Sequence, residues 1–158
     1  MPVHGSIAKV LRRQKRELPG FMRDQADEFG EIMTDEVKDR TPVGRVIDDD
    51  GIDRGESGHL QAEMYQLPTT VVGSVYFTGT ANEVDYTSYV NDGTRAHIIR
   101  GNLNLAFWSA GQLVITRSVR HPGAAGHFMF ERGKRAADME WRTIGNTRLQ
   151  AWLDRTGA

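Results

Sequence analysis

From Ser6 to about Arg40 apolar residues recur at steps of three and four, the period of a helix. Pro19-Gly20 interrupts this pattern and predicts a short basic helix followed by a longer one. Pro19 falls in the first turn of the second piece, where a missing N–H costs nothing. In that piece Met22, Ala26, Phe29, Met33 and Val37 share one face and predict a core-facing stripe, while Asp24, Asp27, Glu28, Asp35 and Lys38 fall outside it. Thr41-Pro42-Val43 ends the helix, because the residue before a proline is pushed out of helical geometry. The run Gly44 to Glu56, rich in Gly and Asp, has almost nothing to bury and predicts a mobile surface loop.

Strand character begins near Leu60 and continues through "TTVVGSVYFTG", where Val71, Val72, Val75, Tyr76 and Phe77 suit a pleated surface. After a loop at Gly79 to Glu83, a short turn or helical segment carries Tyr86, Tyr89 and Val90. Two more extended runs follow, His97 to Phe107 with a break at Gly101-Asn102, and Leu113 to Val119. Phe130, Ala137, Trp141, Ile144 and Trp152 then return at near-helical spacing and predict a helix from about Phe128 to Leu153. The order helix, strands, helix predicts an α+β fold: a small, mainly antiparallel sheet packed by a long N-terminal helix and a C-terminal helix.

Length changes this picture little. A chain of 158 residues matches one domain and one core, here 1–158 with a helical extension 1–18 and an acidic loop 44–56. Apolar content of 39% and charged content of 26% are those of a water-soluble chain, no apolar run is long enough to span a bilayer, and the charged N-terminus lacks a secretory signal pattern. The expected compartment is the cytoplasm. The absence of cysteine removes disulfides, thiol nucleophiles and cysteine-based zinc sites.

The net charge of -1 argues against a dedicated nucleic-acid binder, yet the charges are segregated. Lys9, Arg12, Arg13, Lys15 and Arg16 cluster near the start, and Asp48, Asp49, Asp50, Asp53 and Glu56 in the middle. Such segregation suits oriented contacts with neighbours, and equally suits solvated faces.

Candidate chemistry is sparse. Asp48-Asp49-Asp50-Gly51 resembles part of a calcium loop, but aligning Gly51 with the required glycine puts Val46 and Ser57 at the first and twelfth ligand positions. His4, His59, His97, His121 and His127 lack metal-site spacing, although His121 and His127 bracket a glycine-rich turn. No nucleophile elbow or phosphate-binding glycine loop occurs, and paired carboxylates exist only in the acidic loop. These patterns predict no enzyme, no cofactor and no metal.

Four phrases taken in order are more telling: Thr41-Pro42-Val43, Ser57-Gly58-His59-Leu60, Tyr89-Val90-Asn91-Asp92-Gly93-Thr94, and His121-Pro122-Gly123 followed by His127-Phe128-Met129. Together they resemble the neck, or minor tail-component, family of long-tailed bacteriophages, in which Thr-Pro-Val, Thr-Gly-x-Leu, Tyr-x-x-Val-x-x-Gly-Thr, a His-Pro-Gly turn and a Pro-Phe follow in that order. The resemblance covers Thr41 to Met129. Gly44 to Glu56 is an insertion relative to the family, His127 stands where a proline is common, and the segment before Gly20 lies outside the match.

The resemblance implies a non-enzymatic virion protein at the head–tail junction, made in the host cytoplasm. It would form a ring of six copies, or of twelve, joining the head to the tail around the passing DNA. Its neighbours would be head-completion or connector proteins on one side and tail-terminator or tail-tube proteins on the other. Asp92-Gly93-Thr94 supplies a tight turn, which would place a strand with Arg95, His97 and Arg100 on a basic face and Ala96 and Ile98 on an apolar one. Arg95, His97, Arg100 and the helical Arg12, Arg13 and Arg16 are the expected contacts. The inserted acidic loop takes no role from the family; it is expected to face either the DNA path, with Asp48, Asp49, Asp50 and Asp53 as a repelling lining, or an adjacent protein. The alternative is an accessory protein that binds DNA nonspecifically through the basic N-terminal helix.

Overall fold

The computed structural model describes residues 3–47, 53–109 and 111–157. Its elements in chain order are α1 (Val3–Arg40), β1 (Arg45–Ile47), β2 (Asp53–Glu56), α2 (His59–Ala62), β3 (Tyr65–Val72), β4 (Val75–Ala81), α3 (Thr87–Asp92), β5 (Gly93–Thr94), β6 (His97–Ser109), β7 (Gln112–His121), β8 (Ala124–Ala125) and α4 (Met129–Gly157). The mixed α+β class is as the sequence predicts. These elements form two compact units, one of Met1–Val84 with Met129–Ala158 and one of Asp85–Phe128.

In the first unit α1 and α4 pack as an antiparallel pair, a register traced by side chains from end to end. Gln14 Nε2 donates to Thr156 Oγ1 at 3.3 Å. Phe21 stacks on Trp152 with ring centroids 5.0 Å apart, and Arg148 pairs with Glu28. Phe29 meets Trp141 edge-on at 5.7 Å, and Thr41 Oγ1 lies 3.5 Å from Met129 Sδ. Val37, Met129 and Ala137 are fully buried, with Leu60, Met64 and Trp152 nearly so. The helices approach closely at Gly133, where a β-carbon would meet Val37 Cα and N at 2.8 Å. Only a residue without a side chain lets the two backbones approach so closely.

Several expectations are corrected. α1 is one helix through Pro19, not two. Proline removes one helical hydrogen bond, but packing against α4 on either side of it, at Gln14 and at Phe21, holds the axis together. The predicted stripe is only partly buried: Val37 is 1% exposed, whereas Met22 is 38% exposed. α1 serves two neighbours, and its second contact is polar. Gln66 Nε2 donates to the Asp27 carbonyl at 2.7 Å, Thr34 and Thr80 hydroxyls bond at 2.8 Å, and the Tyr76 hydroxyl donates to the Pro19 carbonyl at 3.1 Å. These bonds fix β3 and β4 against the helix.

The end of α1 is where Pro42 requires it. Thr41 Oγ1 donates to the Val37 carbonyl at 2.8 Å, which occupies a carbonyl that the terminating helix leaves open. Leu60 opens no strand. It lies in the single-turn helix α2, and Asn82 Nδ2 donates to its carbonyl at 2.7 Å.

The strands form no common sheet. Among the described residues they make four separate antiparallel ribbons: β1 with β2, β3 with β4, β5 with β8, and β6 with β7. The strand character through "TTVVGSVYFTG" belongs to a hairpin that turns at Gly73-Ser74 and pairs Val72 with Val75. The expected loop 44–56 has strand arms, with Arg45 opposite Glu56 and Ile47 opposite Asp53. The Ser57 N–H donates to the Gly44 carbonyl at 2.8 Å and closes their base.

Candidate assembly surfaces

The second unit is built on the phrase from Tyr89 to Thr94. α3 ends at Asp92, and Gly93 leaves it with φ 80° and ψ -176°, a conformation that essentially only glycine adopts. Gly93 and Thr94 then pair with Ala125 and Ala124. The Ala124 N–H donates to Thr94 Oγ1 at 3.0 Å. The N–H groups of His127 and Phe128 donate to the carbonyls of Val90 and Asn91 at 3.0 and 2.9 Å. Two phrases thirty residues apart in sequence thus interlock through their backbones.

From this joint springs a long hairpin. β6 has 13 residues and β7 has 10, so the arm runs on the order of 33 Å at about 3.3 Å per residue. His97 pairs with His121, Ile98 with Arg120, Ile99 with Val119 and Arg100 with Ser118. Toward the tip Leu105 pairs with Thr116, Ala106 with Ile115, Phe107 with Val114 and Trp108 with Leu113. Between Arg100 and Leu105 the register shifts, and this bulge stands where the sequence predicts a break.

Counting alternation through the shift gives the two faces of the arm. One carries His97, Ile99, Ala106 and Trp108 with Leu113, Ile115, Arg117, Val119 and His121. The other carries Ile98, Arg100, Leu105 and Phe107 with Val114, Thr116, Ser118 and Arg120.

The expected division into a basic and an apolar face is therefore corrected. Residues three apart on a strand point oppositely, so His97 and Arg100 lie on different faces, and Arg95 precedes β6. The imidazoles of His97 and His121 lie 5.1 Å apart at the root of the arm. The His97 ring Nδ1 is 2.8 Å from the Arg95 carbonyl, and His121 Nδ1 accepts from the Gly123 N–H at 3.1 Å. It is thus His97 that lies against His121, a pairing the spacing of the histidines does not reveal.

Of the other expected contacts, Asp92 is exposed and Gly93 and Thr94 are half-buried. Lys9, Arg12 and Arg16 lie on the side of α1 away from the face that meets α4, and Arg13 stands at the flank, a quarter turn from Gln14. Arg13 and Arg16 both pair with Glu17, at 3.2 and 3.6 Å. Asp53 begins β2, and Asp48, Asp49 and Asp50 lie outside the described residues.

Two surfaces escaped the sequence reading. The first is the tip of the arm, where Trp108 is 61%, Leu113 53% and Ile115 63% exposed on one face. The second is an open groove of about 540 Å³ in the first unit, lined by Met22 and Phe29 of α1, Val75 and Phe77 of β4, and Asp138 and Trp141 of α4. "LAFWS" and "GQLVITRS" did carry a signal for the arm, since apolar residues occupy both parities of each strand. The groove had none, because it joins residues over a hundred positions apart.

Among the described residues no group of three or more His, Cys, Asp or Glu side chains is placed to hold a metal ion. No described helix is long and apolar enough to cross a membrane. No family model, curated protein or solved structure matches this chain.

Proposed function

We propose that this chain is a structural virion protein of a tailed phage, a neck component that forms a ring between head and tail and lines the DNA path. The observation that carries the reading is where the four resembling phrases sit. Each is a joint of the fold: Thr41 closes α1 against Met129, Leu60 is buried and held by Asn82, and the Tyr89–Thr94 and His121–Phe128 phrases interlock by backbone hydrogen bonds. Residues that recur in order for a structural reason belong at such joints. The exposed arm and the open groove further support a role in assembly, because clustered apolar side chains left exposed on a folded chain are candidates for contact with a partner.

In this reading Arg95, His97 and Arg100 lie at the root of a contact arm, and the acidic run Asp48, Asp49, Asp50 and Asp53 repels the DNA that passes through the ring. Neighbouring rings are the connector on the head side and the tail proteins on the other. One feature favours a second reading, an accessory protein that binds DNA nonspecifically. Lys9, Arg12 and Arg16 form one stripe along α1, opposite the side that meets α4, with Arg13 at its flank, and such a stripe can track phosphates.

Imaging of purified particles tests both. Density for this chain at the head–tail junction is the expected result. Absence from washed particles, together with tight duplex binding that falls steeply with salt, hands the function to the DNA-binding reading.

A further inference from the structure

We propose that the tip of the β6–β7 arm seats in the α1–β4–α4 groove of a second copy of this chain, so that copies join arm to groove. Closure into a ring rests on the neck reading above; the contact itself rests on the two surfaces.

The arm needs a partner. β6 and β7 pack chiefly on each other, and a lone two-stranded hairpin is marginally stable in water. Yet Trp108, Leu113 and Ile115 stand exposed together on one face. The groove offers a matching surface, with exposed Val75 and Phe77 beside half-buried Phe29 and Trp141.

Charge identifies the occupant. On the arm the apolar run ends in a cation, since Arg117 follows Ile115 on the same face about 7 Å along the strand. In the groove Asp138 is the one charged residue of the lining, a single helical turn from Trp141; its carboxylate pairs with Lys134 at 2.6 Å but stays 43% exposed, and so weak a surface pair leaves it able to take a second cation. Apolar then cationic meets apolar then anionic, and both halves of this match are carried by the same chain. A contact between two different surfaces of identical subunits is heterologous, the kind that closes rings.

The chain contains no cysteine, so disulfide trapping reads the contact directly. Full-length Ile115→Cys and Val75→Cys variants, both at exposed positions, are mixed and mildly oxidised. The expected product is the mixed dimer, in excess over either homodimer. Adding Trp108→Asp to the arm variant lowers its yield about ten-fold or more, the effect of losing a central aromatic anchor. Arg117→Asp lowers it as well, and Asp138→Arg in the groove variant restores it. Circular dichroism of each variant separates a lost contact from a lost fold.

Dimers of Ile115→Cys alone, an intrachain disulfide in the doubly substituted chain without a mixed dimer, or no cross-link between folded variants each overturns the proposal. The neck reading stands or falls separately. Density at the junction with the arm pointing elsewhere refutes only the contact, and a mixed dimer from a chain absent from particles refutes only the neck.

Discussion

Replacing Gly93 with alanine tests the joint on which the second unit is built. The residue holds φ 80° and ψ -176°, and any side chain there loses about 1–3 kcal/mol in backbone conformation alone. A β-carbon would also meet the Ala124 carbonyl oxygen, the Gly126 nitrogen at 2.6 Å and the Ala125 carbonyl carbon at 2.9 Å. All are backbone atoms, so no rotamer change relieves the collision. Relief requires opening the Gly93–Ala125 and Thr94–Ala124 pairing, whose hydrogen bonds contribute on the order of 1 kcal/mol each. The sum, about 3–5 kcal/mol, is a large share of the roughly 5–15 kcal/mol that stabilises a whole domain.

Urea unfolding measures the loss, and hydrogen exchange locates it. Peptides within 85–128 should lose protection while those of α1 and α4 keep theirs. Gly20→Ala is the control: Gly20 is helical with nothing within 4 Å of a β-carbon, so alanine should add up to about 1 kcal/mol of stability there. A Gly93→Ala protein within about 0.5 kcal/mol of the parent, with unchanged exchange, refutes the assignment of this joint.

Two further predictions concern the first unit. Gly133→Ala should destabilise by on the order of 1–2 kcal/mol in thermal unfolding, because crowding against Val37 outweighs alanine's helical advantage; a gain in stability would show that the helices can separate without cost. The Tyr65 hydroxyl donates to Glu83 Oε1 at 2.8 Å, and that bond to the carboxylate, with desolvation and charge repulsion adding to it, raises the phenol above its usual value. Because the folded value is raised, this contribution to stability is complete below the phenol's ordinary range and is lost as pH rises through the folded value. Ultraviolet titration of the tyrosinate should show one tyrosine that ionises earlier in Glu83→Gln, and an unmoved curve would deny the pairing.

What the sequence disclosed depended on how local the cause was. The end of α1 was legible because Pro42 acts on the residue beside it, and the Gly93 turn was legible because φ is a property of one residue. The continuity of α1 through Pro19 was not, since it is held by Phe21 and Gln14 packing on residues of α4 far along the chain. Nor was the small helix at Leu60, whose carbonyl is fixed by Asn82. On β6 the alternation failed as a guide at two points. His97 and Arg100 are three apart and so face oppositely, and the bulge after Arg100 resets which residues share a face. A single-strand reading that ignores the partner's register cannot foresee such a reset.

Three of the four ribbons differ in what supports them. β3 and β4 lean on α1 through hydrogen bonds from Gln66, Tyr76 and Thr80, and β5 and β8 are held by backbone bonds around α3. β6 and β7 are the longest and pack mainly on each other. Two strands without a third, or without a helix, rarely persist in water, and this pair carries an exposed tryptophan and two exposed aliphatic residues on one face. A ribbon that packs mainly on itself thus carries large apolar side chains out to solvent, which is the arrangement expected where the fold is completed by a neighbour.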